Sequence, residues 1–338
     1  MTATQAGRPG TEGARATEPA IQVEGLVKRY GKVVAVDGLS LAVPWGSIYG
    51  LLGPDGAGKT STLRCLTGGL SFQGGELRLG GWHLPEDLDR LRPLIGYMPQ
   101  RFALYQDLTL AENLRFFADL YGVSATERAE RLPHLLAFTR LAGHERKLAG
   151  QLSGGMKQKL ALCTVLVHRP RILLLDEPST GVDPVSRREF WEILLELRKE
   201  GVAILVTTPY MDEAEKCDRI GMMARGRLLV EGTPGDLRAA FPFRVLAVFA
   251  EPLFLARQIL GQLPGVRTAV LHGDAVHLVV EDVAAATEEV VRALAGAGVR
   301  LGGVQEVQAG LEDVFVHELL SRGLVMPRAV TWGGERSA

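Results

Sequence analysis

The strongest constraint on how this chain can fold is a glycine-rich octapeptide over residues 53–60, which matches the pattern G-x-x-x-x-G-K-[ST]. An apolar segment (residues 47–52) precedes it, and a segment with helical periodicity (residues 59–70) follows it. Glycines in such a strand–loop–helix turn allow backbone N–H groups to surround phosphate oxygens, and the helix N-terminus adds a favourable dipole. The residues predicted to line this phosphate site are Gly53, Pro54, Asp55, Gly56, Ala57, Gly58, Lys59, Thr60 and Ser61.

An acidic pair follows a second apolar segment, residues 172–175. Asp176 stands at the end of this predicted buried strand, where a carboxylate is costly unless it meets a cation. Mg²⁺ held by Asp176 and Thr60 accounts for the charge, and Lys59 is expected to reach the β- and γ-phosphates of a nucleotide. Glu177 is then placed to orient or deprotonate an attacking water, so Glu177 and Lys59 are predicted catalytic residues. The alternative is a pair of solvated carboxylates at a strand end.

Other short motifs occur in a fixed order around these two. They are KRYG at residues 28–31, YMPQ at 97–100, LSGGMKQ at 152–158 and STGVDP at 179–184. Together with the phosphate loop they resemble the motifs of ATP-binding cassette (ABC) ATPases, over about residues 21–237. Phosphate loops occur in many nucleotide hydrolases, whereas this combination and order is typical of that one family.

The resemblance implies a nucleotide and several of its contacts. Tyr30 matches the aromatic residue that stacks on the adenine of ATP, and Gln100 matches the glutamine that serves as a metal ligand and in catalysis. It also implies that two cassettes close head to tail around two ATP molecules. Ser153, Gly154 and Gly155 of one chain would then meet the γ-phosphate held by the other, at a helix N-terminus suited to anions. Taken alone, these three residues also fit an ordinary helix cap.

The particular residues found in several motifs point to one group within the family. Residues 53–56, 97–102 and 152–160 are most similar to ATP-binding subunits of bacterial drug and small-molecule exporters of the type-two ABC class, especially the first cassette of tandem-cassette multidrug-efflux ATPases. This similarity implies an integral membrane permease as partner and a position at the cytoplasmic face of the bacterial inner membrane. The predicted docking residues are Phe102, Leu104 and Tyr105, for which core packing is the alternative.

The chain departs from the family pattern after the apolar segment at residues 202–207. The family places a histidine there that contacts the γ-phosphate, whereas this chain has Pro209, which has neither a side-chain donor nor a backbone N–H. Loss of one such contact lowers a rate by roughly tens- to several-hundred-fold, so we expect slow but real ATP hydrolysis. Thr208 and Tyr210 carry the neighbouring hydroxyls that could replace the histidine.

Two other functions stay open at this point. One is a nucleotide-dependent clamp or regulator, in which binding switches the conformation with little turnover. The other is a heterodimer in which this chain completes the competent site of a different cassette. Co-purification with an integral membrane protein separates transport from regulation. An ATP-dependent homodimer that supports transport would exclude the heterodimer.

The overall composition argues against several classes of protein. A net charge of −1 and a pI of about 6.7 disfavour a nucleic-acid partner. No apolar run approaches the roughly 18 residues that a transmembrane helix needs, so we expect membrane association only through a partner. Residues 1–19 lack the apolar segment of a signal peptide and are predicted to be a disordered lead-in. Cys65, Cys163 and Cys217 lack metal or disulfide spacing and are predicted to be buried or incidental thiols in a reducing compartment.

Strand-like segments that alternate with helical segments predict an α/β fold with a covered parallel sheet. The resemblance specifies a P-loop NTPase cassette with a RecA-like parallel core, an antiparallel β subdomain and a helical subdomain. A following β-α-β-β-α-β-α order predicts a small ferredoxin-like α+β domain, in which Glu312 and Asp313 are predicted to cap a helix. The predicted ranges are 20–238 for the cassette, about 101–167 for its helical subdomain, 241–322 for the second domain and 323–338 for an irregular tail.

Overall fold

A computed structural model describes residues 18–101 and 104–324 of the 338-residue chain. The chain forms two compact units, which divide between Leu228 and Leu229. The predicted disordered lead-in and the predicted irregular tail fall almost wholly outside the described residues.

The strands of the first unit alternate with its helices along the chain. The strands are β1 (Ile21–Tyr30), β2 (Val33–Val43), β3 (Ile48–Leu52), β4 (Gly74–Leu79), β5 (Trp82–Leu84), β6 (Ile95–Met98), β7 (Ile172–Asp176), β8 (Ala203–Thr208), β9 (Arg219–Ala224) and β10 (Arg227–Gly232), of which β10 spans the boundary between the units. The helices are α1 (Lys59–Leu66), α2 (Leu88–Leu91), α3 (Leu110–Leu120), α4 (Ala125–Phe138), α5 (Gly154–Leu166), α6 (Pro184–Lys199) and α7 (Met211–Ala214).

These strands form two sheets, and the parallel one brings the predicted motifs together. An antiparallel sheet has the order β2-β1-β4-β5, and the larger sheet has the order β10-β9-β3-β8-β7-β6. Strands β9, β3, β8, β7 and β6 run parallel, with Asp176 opposite Thr207 and Leu52 opposite Thr208. Since the carboxyl ends of parallel strands meet at one edge of a sheet, the phosphate loop, the acidic pair and position 209 share that edge.

The core of the first unit explains why β3, β7 and β8 are apolar along most of their length, up to the polar residues that end β7 and β8. All residues of these three strands are buried. Leu63 and Leu66 of α1 share one core cluster with Ile21 of β1 and Leu174 of β7, so α1 lies between the two sheets. Burial on both faces removes the usual alternation of apolar and polar side chains.

Helices α3, α4 and α5 pack around a separate apolar cluster that includes Leu110, Leu136 and Leu160. Both α3 and α4 begin with a capping box, in which the Thr109 or Ser124 side chain and a glutamate three residues later satisfy each other's backbone N–H groups. The sequence pattern therefore fixes where these two helices start.

The second unit has the predicted ferredoxin-like fold. Its elements are α8 (Pro234–Ala239), β11 (Arg244–Glu251), α9 (Leu253–Leu260), β12 (Val266–His272), β13 (Ala275–Val280), α10 (Val283–Gly296), β14 (Arg300–Val307) and α11 (Leu311–Ser321). The strands form an antiparallel sheet in the order β12-β13-β11-β14, and α9 and α10 share its core. Helix α8 contacts α11, and this unit begins at Leu229, ahead of the predicted start at residue 241.

Some elements differ from the sequence pattern. The helix predicted over residues 59–70 ends at Leu66, because Gly68 adopts a φ of +70° that a helix does not allow. Two short strands predicted at residues 33–36 and 39–43 form the single strand β2. Strands β9 and β10 were not predicted; β9 pairs with the distant strand β3, and β10 pairs with β9, its neighbour in sequence.

Candidate functional site

The phosphate loop is held in a shape that only glycine allows at two positions. A Cβ atom on Gly53 would lie 2.2 Å from the carbonyl oxygen of Met223. Gly58 has a φ of +110°, and a Cβ atom there would lie 2.3 Å from the carbonyl oxygen of Ala35. The loop therefore packs directly against backbone, and α1 begins immediately afterwards at Lys59.

Lys59 is buried and connects the loop to the acidic pair. Its Nζ atom donates to the carbonyl oxygens of Gly53 at 2.7 Å and Pro54 at 3.2 Å. The same atom lies 3.2 Å from Oε1 of Glu177. The ammonium group thus lies between the carbonyl oxygens of the loop and the carboxylate of Glu177.

Asp176 ends β7 with no solvent exposure. Its Oδ1 atom accepts hydrogen bonds from the hydroxyls of Thr60 at 3.0 Å and Thr207 at 2.9 Å. Its Oδ2 atom is buried and has no hydrogen-bond partner among the described residues. Burial raises the pKa of Asp176 above its ordinary value, and the hydrogen bonds from Thr207 and Thr60 oppose this effect.

Glu177 is fixed both by its backbone and by its carboxylate. The backbone has a φ of +47°, which is uncommon for a residue with a side chain, and its N–H donates to Thr207 Oγ1 at 3.0 Å and to the Thr207 carbonyl at 3.1 Å. The carboxylate receives a hydrogen bond of 2.8 Å from Nε2 of Gln100 and pairs with Lys59. Glu177 therefore stands between the two other predicted catalytic residues.

These groups border an open cleft of about 420 Å³. The cleft is lined by Ala35, Asp55, Gly56, Ala57, Gly58, Lys59, Thr60, Ser61, Gln100 and Glu177. A volume of this size suits a small ligand such as a nucleotide phosphate chain. Most of the residues predicted from the phosphate loop and the acidic pair thus surround one cavity.

Other predicted site residues lie around this cleft or away from it. Tyr30 is 44% exposed, and its hydroxyl lies 3.4 Å from Ser61 Oγ, next to the loop. Ser153 caps α5 by accepting a hydrogen bond from the Met156 N–H at 3.3 Å. Neither Ser153 nor its two glycine neighbours lines the cleft of the same chain, within the ranges that the structure describes.

The position expected to hold a histidine follows β8. Pro209 stands there, and the hydroxyl of the preceding Thr208 is fully buried and donates to Glu213 Oε2 at 2.5 Å. The guanidinium of Arg187 lies over the ring of Tyr210, with its central carbon 4.3 Å from the centre of the ring. The Thr208 hydroxyl is therefore already used inside the protein, contrary to its suggested use in place of the histidine.

Two residues of the site were not predicted from sequence. Thr207 donates to Asp176 and accepts from the Glu177 N–H, and Ala35 closes the cleft beside Gly58. Thr207 could have been recognised from the sequence, because it is a polar residue near the end of an apolar strand, as Asp176 is. Ala35 has no chemical signature and could not have been recognised.

The predicted docking residues have different environments. Leu104 is 8% exposed and belongs to the apolar cluster of the helical subdomain. Tyr105 is 48% exposed, with its ring edge-on to the ring of Phe116 at 4.8 Å. Phe102 lies outside the described residues. Across residues 18–101 and 104–324, every helix is too short or too polar to span a bilayer.

Comparison with known proteins identifies the family. A family profile described as "ABC transporter" matches residues 36–180. The chain is 43% identical to the probable multidrug ABC transporter ATP-binding protein YbhF of Escherichia coli K12 over 225 aligned residues. This alignment covers 66% of this chain and 38% of that protein. Over 300 residues it is 37% identical to the Nod factor export ATP-binding protein I of Cupriavidus metallidurans, which covers 88% of this chain and 96% of that protein.

A solved structure described as the ATP-binding subunit of an ABC transporter matches with a TM-score of 0.60 and 31% identity, over 66% of this chain and 93% of that one. The chain spans little more than a third of the Escherichia coli relative, at 38% of its length, but nearly all of the Cupriavidus relative. The fold class and the family resemblance predicted from the motifs are both confirmed. The chain belongs to the family of ABC transporter ATP-binding proteins.

Proposed function

We propose that this protein binds and hydrolyses ATP as the motor subunit of a transporter whose membrane-spanning part is a separate permease. The observation that carries the proposal is the position of Glu177, whose carboxylate lies 3.2 Å from Lys59 Nζ and 2.8 Å from Gln100 Nε2 at the phosphate loop. This places a candidate base, a phosphate-binding cation and an orienting amide around one cavity, as phosphoryl transfer to water requires.

Each group has a role in the proposed reaction. The N–H groups of the loop and Lys59 would bind the β- and γ-phosphates, and the Tyr30 ring would stack on the adenine. Glu177 would accept a hydrogen bond from the attacking water and orient it toward the γ-phosphate. Gln100 would hold the Glu177 carboxylate in position through the hydrogen bond already present.

Mg²⁺ fits the donor set beside the loop. Asp176 offers a buried oxygen that has no other partner among the described residues, and Thr60 offers a hydroxyl that already contacts the same carboxylate. Both are the hard oxygen ligands that Mg²⁺ prefers, and Gln100 supplies a further amide oxygen. The ion would neutralise charge that develops on the phosphate oxygens.

A second cassette would complete the site. Ser153 and Gly154 are exposed at the N-terminus of α5, where backbone N–H groups favour an anion. We propose that Ser153, Gly154 and Gly155 reach the γ-phosphate bound by a partner cassette, in a homodimer or a heterodimer. The exposed pair of Tyr105 and Phe116 would contact the permease at the cytoplasmic face of the bacterial inner membrane.

The names of two relatives support a narrower proposal. One relative is named as a probable multidrug transporter protein and another as a Nod factor export protein. We therefore propose export of a drug or another small molecule rather than import.

A regulatory cassette with weak turnover is the second candidate, and one observation favours it. Pro209 supplies no donor at the histidine position, and the neighbouring Thr208 hydroxyl is bound to Glu213. Such a cassette would respond to ATP binding more than to hydrolysis.

Phosphate release by the purified protein tests the proposal, alone and with its co-purified membrane partner. We expect turnover that exceeds that of a Glu177→Gln variant and that rises by roughly 10- to 100-fold in Pro209→His. Turnover no higher than that of Glu177→Gln would reject the motor function. ATP binding without turnover and without a membrane partner would favour the regulator.

A further inference from the structure

A buried carboxylate near the nucleotide cleft has no part in the reaction described so far. Glu213 of α7 has no solvent exposure. Its Oε1 atom accepts a hydrogen bond of 2.5 Å from the Ser179 hydroxyl, and its Oε2 atom accepts one of 2.5 Å from the Thr208 hydroxyl. One carboxylate therefore holds two separate loops, each through a different oxygen.

Both loops belong to the site. Ser179 comes two residues after Glu177, in a turn where the Thr180 N–H donates to the Glu177 carbonyl at 3.2 Å. Thr208 precedes Pro209, and its Oγ1 atom accepts a hydrogen bond of 3.0 Å from the Tyr210 N–H. Glu213 thus connects the turn after Glu177 to the loop that contains Pro209, the residue found where the family has a histidine.

Arg187 of α6 compensates the buried charge. Its Nε atom lies 3.7 Å from Glu213 Oε1, and its guanidinium covers the ring of Tyr210. Its Nη1 atom also lies 3.8 Å from Asp212 Oδ2. A buried carboxylate is tolerated when hydrogen bonds and a cation meet it, and Glu213 has both.

We infer that Glu213 is a positioning residue of ATP hydrolysis that keeps the Pro209 loop and the turn after Glu177 in one fixed geometry. The inference rests on the proposed function. Pro209 has no side chain that could hold its loop to a phosphate, so the loop must be fixed from its buried side. Two hydroxyl groups on one carboxylate do this, because neither loop can move without breaking a buried hydrogen bond.

Kinetics of Glu213→Ala, Glu213→Gln and Glu200→Gln test the inference. Glu213→Ala should lower kcat by about 10- to 100-fold and change KM for ATP by less than about threefold, because the phosphate-loop contacts stay intact. Glu213→Gln should keep kcat within about fivefold of wild type, since its oxygen accepts one hydroxyl and its amide donates to the other. Glu200→Gln is the matched control, an exposed glutamate away from the site that is expected to change kcat by less than about twofold.

Two further measurements do not depend on Glu213→Ala being fully active. In a double-mutant cycle of Ser179→Ala and Thr208→Val, the effects on kcat should deviate from additivity by at least about fivefold, and this coupling should vanish in a Glu213→Ala background. The amides of Thr180 and Val182 should exchange hydrogen about tenfold faster in Glu213→Ala, because the turn that they close loses its anchor.

The outcomes separate the inference from the proposed function. Wild-type turnover equal to that of Glu177→Gln would reject the function, while the exchange rates at Thr180 and Val182 would still decide whether Glu213 holds the turn. Unchanged exchange in a folded Glu213→Ala protein would overturn the inference. It would also be overturned by additive effects of Ser179→Ala and Thr208→Val, or by equal losses of kcat in Glu213→Ala and Glu213→Gln.

Discussion

Asp176 places a carboxylate where it helps a bound cation but opposes folding. It is fully buried, and its Oδ2 atom has no partner among the described residues. We expect Asp176→Asn to raise the free energy of unfolding in EDTA by about 1 kcal/mol, or ~2–4 °C in Tm, because the buried charge is removed. The same variant should lose the additional stabilisation that Mg²⁺ and ATP give to the wild type. Thermal unfolding with EDTA, with ATP alone and with Mg²⁺ and ATP measures both effects.

The sign of the pH dependence provides a second test of the same residue. Burial raises the pKa of Asp176 in the folded protein, so the folded state binds this proton more tightly than the unfolded state. The penalty is therefore absent at low pH and grows as pH rises through the folded pKa. The advantage of Asp176→Asn in EDTA should shrink on acidification. Asp274→Asn, in an exposed turn, should change stability by less than about 0.5 kcal/mol at every pH, and a pH-independent gain for Asp176→Asn would contradict this account.

At the scale of an element, two glycines of the phosphate loop allow the effect of backbone strain to be separated from the effect of a close backbone contact. Gly56 and Gly58 both have positive φ, but a Cβ atom meets no atom within 4 Å at Gly56 and lies 2.3 Å from the Ala35 carbonyl at Gly58. Gly56→Ala should cost about 1–2 kcal/mol of stability through strain alone and leave ATP affinity within about tenfold. Gly58→Ala must displace strand β2 or the loop, and we expect ATP affinity to fall by at least about 100-fold.

Equilibrium ATP binding and urea unfolding of the two alanine variants check this difference. Equal effects of both substitutions on affinity would show that strain rather than contact with Ala35 decides the loop's shape. The comparison is matched, because the two glycines stand in one loop and lose the same conformational freedom.

The same scale shows what the sequence could and could not predict. The phosphate loop, the acidic pair and the strands beside them were predictable because each combines a local period with residues of special chemistry, as at Lys59 and Asp176. The contact of Thr208 with Glu213 was not, since it depends on where a short helix places a carboxylate after the strand ends. Strand β9 escaped for a similar reason, because its partner β3 is distant in sequence, whereas β10 pairs with β9, its neighbour in sequence, and could have been recognised as part of a hairpin.

At the scale of the whole molecule, the cysteines can be used to measure unfolding of the first unit, because all three lie in it. Cys65, Cys163 and Cys217 are all buried and unpaired, and all three precede the boundary at Leu228. Burial raises the pKa of Cys65 to about 11 and that of Cys163 to about 12, and it raises that of Cys217 as well. Because the thiolate is the reactive form, native thiols should be inert at pH 8.

We therefore expect iodoacetamide at pH 8 to modify none of these thiols in the native protein and all three after denaturation. The three thiols lie in different parts of the first unit, on α1, on α5 and after α7, so each reports its own local opening. If the unit unfolds cooperatively, sub-denaturing urea should accelerate all three modifications by the same factor, as global opening requires. Mass spectrometry of the labelled peptides measures the three rates separately. A much faster rate at Cys163 would instead show that the helical part of the unit opens independently of the parallel sheet.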